Sequence, residues 1–63
     1  MTTYRHCDTV KHIPTGSIGK VNLWMKAGVY LVVFEEADWK GDPGLAKRGK
    51  VKMQVNDNDL EAA

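Results

Sequence analysis

Both histidines and the single cysteine of the chain lie within its first twelve residues. His6, Cys7 and Asp8 are consecutive, and His12 follows four residues later. Such residues can form a nucleophile or ligate a metal ion, but nucleophilic catalysis needs a base that a third group orients, and zinc normally needs three or four ligands. Neighbours such as His6 and Cys7 face opposite sides of a strand. We therefore predict a surface histidine beside a half-buried cysteine, with no catalytic or metal-binding residues.

The segment Gly16-Ser17-Ile18-Gly19-Lys20 has the composition of a phosphate-binding loop. A P-loop has four residues between its glycines, followed by Lys-Ser/Thr and a helix. Here only two residues separate the glycines, and Val21 follows in a stretch typical of a strand. The Gly-x-x-Gly loop of KH domains also requires flanking helices. We therefore predict a corner between two strands here, and no cofactor.

Acidic and amide side chains near residue 60 loosely imitate a calcium-binding loop. The run Asn56–Asp59 is followed by Leu60 and Glu61. An EF-hand loop requires a glycine at its sixth position and a bidentate glutamate in a helical frame, and this segment has neither. The sequence predicts a polar turn over 56–59, with one turn of 3₁₀-helix, from which Leu60 returns to the core.

Aromatic residues are better candidates for function, because exposed tryptophan and tyrosine are frequent centres of protein interfaces. Trp24 and Tyr30 flank one predicted hairpin, at a spacing that places them opposite each other across two strands. Two interpretations stay open for this pair. The rings form an exposed binding surface, or a small sheet wraps around them and buries them.

Trp39 lies in a long loop that also carries basic residues. Aromatic and basic side chains interleaved on one loop can bind RNA bases or an acidic protein surface. The alternative is that the loop packs Trp39 over an open end of the fold. The predicted partner-binding residues are Trp24, Tyr30, Trp39, Lys40, Lys47 and Arg48.

Length and charge restrict the class of protein. The 63 residues allow a single domain over 1–63, and a chain this short buries only about 60% of its unfolded surface. One cysteine cannot close an internal disulfide, so we expect a cytoplasmic protein that gains stability from a partner. Nine basic and eight acidic residues leave a net charge of +1, without the basic excess of most nucleic-acid-binding domains. No apolar run reaches the roughly 20 residues of a membrane span, and the first residues lack the apolar core of a signal peptide.

The elements that position these residues are predicted to be β-strands. We expect strands over 9–13, from 18 to a hairpin at 26–28, over 29–35 and over 50–55, with a short fifth strand around Leu60. Pro14 and Gly16 predict the first corner, and Gly28 predicts a hairpin turn with positive φ. Three glycines and a proline predict a long irregular loop over 36–49. No helix is available to connect parallel strands, so the strands should pair antiparallel and form a small, strongly bent barrel.

Alternation of apolar and polar residues predicts the core. Residues 50–55 alternate cleanly, and residues 29–35 are apolar on both faces, which is typical of a central strand or one whose second face is covered. The second strand loses its alternation at Gly19-Lys20, which predicts a β-bulge there. The expected core residues are Val10, Val21, Leu23, Met25, Phe34, Val51, Met53, Val55 and Leu60.

The motifs Asp8-x-Val10 and Gly16-x-x-Gly19-x-Val21, with the apolar strand 30–34, resemble the SH3-like small barrels and their KOW-type pattern. Asp59-Leu60-Glu61 resembles the terminal turn and last strand of these barrels, and Cys7 stands where a glycine is common. The resemblance covers about 8–61 and implies an all-β fold, a five-stranded antiparallel SH3-like barrel with one long loop at 36–49. Similar barrels serve as ribosome- and RNA-polymerase-associated modules. Others are accessory subunits, such as the small stromal subunit of photosystem I or the variable chain of ferredoxin-thioredoxin reductase.

We therefore expect a non-enzymatic protein-interaction module or accessory subunit that docks on a larger protein assembly. The alternative is a KOW-like module that binds RNA or DNA. Its phosphate contacts would come from Lys11, Lys20, Lys47, Arg48, Lys50 and Lys52. A third interpretation is a homo-oligomer with an active site on its symmetry axis. Neither a membrane nor a cofactor is expected as a partner.

Overall fold

The computed structural model describes residues 4–63, which form five strands joined by turns. The strands are β1 (Thr9–His12), β2 (Ser17–Lys26), β3 (Val29–Glu35), β4 (Lys50–Asn56) and β5 (Leu60–Ala62). Three 3₁₀ turns occupy Glu36–Asp38, Pro43–Leu45 and Asp57–Asp59. The predicted 3₁₀ turn before β5 is confirmed. The loop over 36–49 is more regular than predicted, since two of these turns form within it.

All five strands belong to one antiparallel sheet with the order β4-β3-β2-β1-β5. The predicted all-β, five-stranded antiparallel class is therefore confirmed, and β3 is a central strand. The expected closure into a barrel is not observed, because the two end strands, β4 and β5, do not pair within residues 4–63. β5 is only three residues long and pairs with β1 alone, so it offers few backbone groups for a second ladder.

One face of the sheet carries the hydrophobic core. Tyr30, Val32 and Phe34 project from β3 and are at most 3% exposed. The other buried apolar residues are Val10, Val21, Val51, Val55 and Leu60. Met53 is half-buried and packs against this cluster. The expected core residues Val10, Val21, Phe34, Val51, Val55 and Leu60 are thus confirmed, whereas alternation did not decide which of the two apolar faces of β3 points inward.

The bulge predicted at Gly19-Lys20 is wrong. Gly19 pairs with Val10, and Lys20 pairs with both Thr9 and Val33, without interruption. Gly19 is itself an inward residue, because the Phe34 ring fills the space that a side chain would occupy. A glycine at an inward position removes one apolar residue from the pattern, and this imitates a change of register.

The true irregularities of β2 come later and reverse the predicted faces. The pairing with β3 skips Asn22, between Val21 and Leu23, and skips Met25, between Trp24 and Lys26. An extra residue in a strand turns the following side chains to the other face. The predicted core residues Leu23 and Met25 are therefore wrong, being 53% and 39% exposed.

Candidate partner-binding surfaces

The histidines and the cysteine near the start of the chain do not converge. His6 is exposed, with Nδ1 2.7 Å from the carbonyl oxygen of Asn22. Cys7 is exposed rather than half-buried as predicted, and its backbone has a φ of +72°. His12 is buried in the core side of β1. Within residues 4–63 no group of three or more His, Cys, Asp or Glu side chains is placed to hold a metal ion.

His12 belongs to a buried polar cluster at the first corner. Its Nδ1 lies 2.8 Å from Thr15 Oγ1, which donates a hydrogen bond of 2.8 Å to Ser17 Oγ. Ser17 Oγ also accepts from the backbone N–H of Lys40 at 2.8 Å. The cluster therefore attaches the long loop to the sheet.

Trp39 closes the end of the core beside this cluster. Its ring centroid lies 5.0 Å from that of Phe34 and 6.2 Å from that of His12, on which it stacks at 23°. The indole Nε1 donates to the carbonyl oxygen of Asp42 at 2.8 Å. Trp39 is only partly exposed, so of the two interpretations the structure shows the packed one: the loop holds this ring over the open end of the sheet.

Trp24 and Tyr30 are direct cross-strand partners, as their spacing predicted. Their exposures differ sharply, at 58% for Trp24 and 3% for Tyr30. The ring of Tyr4 packs edge-on against Tyr30 at 5.5 Å, and its backbone N–H donates to the Tyr30 hydroxyl at 3.3 Å. Tyr30 is therefore a core residue that cannot touch a partner directly in this fold, whereas Trp24 is free to do so.

Burial also affects the ionisation of Tyr4. Desolvation raises the pKa of its phenol above the ordinary value of 10.0, and the nearby Tyr30, Asp57 and Glu61, when ionised, raise it further. The folded protein therefore favours the neutral form of the Tyr4 phenol over the ionised form.

Leu23, Trp24 and Met25 are three consecutive exposed apolar residues at the hairpin end of β2, and we call this segment the hairpin surface. Their exposures are 53%, 58% and 39%. Leu23 and Trp24 pair with the consecutive residues Leu31 and Tyr30, so their side chains project from opposite faces of the sheet, and Met25 lies in the second irregularity. Sequence reasoning missed two of the three, because apolar residues in a strand were expected to point inward.

The predicted binding residues do not form a single surface. Trp24 lies at the hairpin end of β3, beside Tyr30, while Trp39 contacts Phe34, about 13 Å further along the strand. Lys40, Lys47 and Arg48 are exposed on the loop at the Trp39 end. The structure therefore separates an apolar hairpin from a basic loop.

Two grooves bring basic residues together. The first, of about 460 Å³, lies on the outward face of the sheet and combines Lys20, Lys50 and Lys52 with Val33, Glu35 and Asp38. The second, of about 630 Å³, lies between the long loop and β4, and we call it the cationic groove. It is lined by Gly44, Leu45, Lys47, Arg48, Lys50, Lys52 and Met53.

Comparisons of the chain with protein-family models, with curated proteins and with solved structures find no significant match. Within residues 4–63 no helix has the length and apolar character needed to cross a membrane.

Proposed function

We propose that the protein is a non-enzymatic binding module with an SH3-like arrangement of strands, and that it docks on a larger protein through the hairpin surface. The observation that carries this proposal is Trp24, a large ring left 58% exposed at a hairpin while the ring of its cross-strand partner Tyr30 is buried. Tryptophan is the residue most enriched among the few that dominate binding energy at protein interfaces.

The hairpin surface has the composition of an interface centre. Leu23 and Met25 flank Trp24 and provide adaptable apolar contact without a charge. The two bulges that flank Leu23 and Trp24 are backbone features that commonly re-aim side chains near functional sites. His6 Nδ1 lies at the carbonyl oxygen of Asn22, where it helps to hold the first bulge.

The SH3-like, KOW-type likeness gains support from Cys7. This residue stands where a glycine is common in the pattern, and its φ of +72° lies in the region that favours glycine. The turn Asp57–Asp59 followed by β5 also stands where the resemblance implies it. The exposed thiol of Cys7 fits a reducing, cytoplasmic setting.

Affinity capture from the native host with matched variants tests the docking proposal. Trp24→Ala removes the central ring, and Ile13→Ala is the control, since Ile13 is 50% exposed and lies at the opposite corner. The wild-type protein and Ile13→Ala should retain the same partner, which Trp24→Ala loses while its thermal unfolding stays unchanged. Retention of that partner by Trp24→Ala would remove the basis of the proposal.

Nucleic-acid binding is the second candidate, and the outward-face groove favours it. Lys20 and Lys52 flank Val33 across three adjacent strands, which places two cations on one open surface. Glu35 and Asp38 line the same groove and weaken its attraction for phosphate. Binding to RNA or DNA should fall steeply with salt concentration, and absence of binding at low salt excludes this candidate.

A further inference from the structure

The cationic groove concentrates charge that the chain as a whole does not have. Four of its seven lining residues are Lys or Arg and none is acidic, although the net charge of the chain is only +1. Within residues 4–63, Lys50 forms the one ion pair, at 3.9 Å from Glu35, and both side chains are more than half exposed. Lys47, Arg48 and Lys52 therefore form no ion pair with the described residues.

The groove also has an apolar floor. Leu45 is 49% exposed, and Met53 is half-buried against the core. The groove thus combines cationic side chains with an apolar surface that would gain from being covered. No aromatic ring lines the groove, so it has no platform on which nucleic-acid bases could stack.

An open strand edge runs along this groove. β4 is the end strand of the sheet and pairs only with β3. The backbone N–H and C=O of Lys50 both bond to Lys47 rather than to β3. Because these groups alternate in direction along an antiparallel strand, those of Lys52 and Gln54 also point away from β3, toward the open edge.

Arg48 occupies a backbone conformation that does not suit it. Lys47 to Lys50 form a two-residue hairpin turn, in which Arg48 has a φ of +54° and Gly49 a φ of +79°. Turns of this type strongly prefer Asn-Gly or Gly-Gly, because both central residues are left-handed. The chain places a cation at the groove where asparagine would be more stable.

We propose that the cationic groove binds an acidic, extended segment of another protein, which adds to β4 as a sixth strand. Backbone groups of Lys52 and Gln54 would pair with the segment, and its carboxylates would meet Lys47, Arg48 and Lys52. Alternate apolar side chains of the segment would cover Leu45 and Met53. In this recognition mode the main chain provides affinity and the side chains on alternate positions provide specificity.

This groove is separate from the hairpin surface. The groove lies at β4 and the hairpin surface on β2, with β3 between them, and along β4 the groove ends at Met53, about 10 Å before Asn56 at the hairpin end. Loss of binding at one surface should leave the other intact, so the two proposals can fail independently.

The probe is a short, acetylated and fluorescently labelled peptide in which glutamate alternates with valine. Its control carries glutamine in place of glutamate, and a single-stranded oligothymidylate represents nucleic acid. Fluorescence anisotropy should show that the acidic peptide binds about tenfold more tightly than the glutamine peptide at low salt. Amide hydrogen exchange should slow at Lys52 and Gln54 when the peptide is bound, which simple charge attraction would not cause.

Three variants locate the site. Lys52→Gln and Arg48→Asn should each weaken binding of the acidic peptide about threefold to tenfold. Lys26→Gln, an equal loss of charge at the hairpin end, should leave it unchanged. Arg48→Asn should also raise the unfolding temperature, since Asn-Gly suits the turn, so weaker binding cannot be attributed to misfolding.

Four results would overturn the proposal. They are equal binding of the glutamine peptide, wild-type affinity in both groove variants, unchanged exchange at Lys52 and Gln54, and tighter binding of oligothymidylate than of the peptide through the same residues. Sedimentation of the protein without peptide could give a fifth result against the proposal. Self-association that Lys52→Gln abolishes would assign the edge to a second copy of the chain instead.

Discussion

The ring of Phe34 lies directly over the α-carbon of Gly19, so close that a methyl group at position 19 would come within 2.6 Å of Phe34 Cδ2. The same methyl group would lie 2.8 Å from the carbonyl oxygen of Val33. Phe34 is fully buried, so its ring cannot swing into solvent to make room. This contact between β2 and β3 determines which residue can occupy position 19.

Gly19→Ala should therefore destabilise the fold by about 1–3 kcal/mol, the usual cost of overpacking a core. Urea unfolding measures this loss. Phe34→Leu offers a matched background, because a smaller side chain leaves space for the new methyl group. Gly19→Ala should cost less in that background than in the wild type, and additive effects of the two substitutions would show that the contact does not limit position 19.

The sequence predicts the inward residues of a strand when one face of that strand is apolar and the other is polar. In β4 the inward Val51 and Val55 alternate with the lysines, and no neighbour is needed to see it. In β2 the inward face is Ser17, Gly19 and Val21, which has a single large apolar member. Position 19 must be a glycine because of the Phe34 ring, which belongs to another strand. The spacing of residues within β2 cannot reveal this contact.

The exposure of Leu23 and Met25 was not predicted, for a related reason. A bulge is set by how two strands pair, and Leu23 and Met25 are apolar whichever face they occupy. Gly28, by contrast, was recognised because a two-residue turn needs a positive φ, here +74°. The sequence thus predicts local backbone conformation, as at Gly28. It does not predict which way the side chains after Asn22 point, because this depends on the pairing of β2 with β3.

Ser17 should be important for stability despite its small size. Its side chain is fully buried, and Oγ accepts hydrogen bonds from Thr15 Oγ1 and from the Lys40 N–H. Ser17→Ala should cost about 1–3 kcal/mol, because it leaves both donors without their acceptor. Amide exchange provides the local test: the Lys40 amide should exchange faster, while that of Val32 in the core keeps its protection relative to global unfolding. Unchanged exchange at Lys40 would show that this bond does not hold the loop.

Cys7 should be replaceable with a gain in stability. At a φ of +72° a β-carbon is crowded by the backbone, and this costs roughly 1–2 kcal/mol relative to glycine. Cys7→Gly should therefore raise the free energy of unfolding, measured with urea under reducing conditions. Cys7→Ser separates this effect from loss of the thiol, because serine keeps the β-carbon and should give no gain. An equal gain in both variants would attribute the effect to the sulfur instead.

Stability should also fall at alkaline pH because of Tyr4. The pKa of Tyr4 is raised in the folded protein, mainly by burial, above the 10.0 that holds when the chain unfolds. Below pH 10 the phenol is neutral in both states, so the folded form keeps its full contribution. As pH rises further the unfolded chain ionises first, which favours unfolding until the folded-state pKa is passed.

Tyr4→Phe isolates this effect from the lysines, which titrate in the same range in both proteins. Phenylalanine preserves the edge-on packing against Tyr30 at 5.5 Å and has no ionisable group. As the pH rises above about 10, the wild-type free energy of unfolding should fall more steeply than that of the variant. Parallel curves for the two proteins would mean that Tyr4 ionises as easily in the fold as in the unfolded chain. A steeper fall in the wild type would show that the neutral phenol is part of what holds the segment before β1 against the sheet.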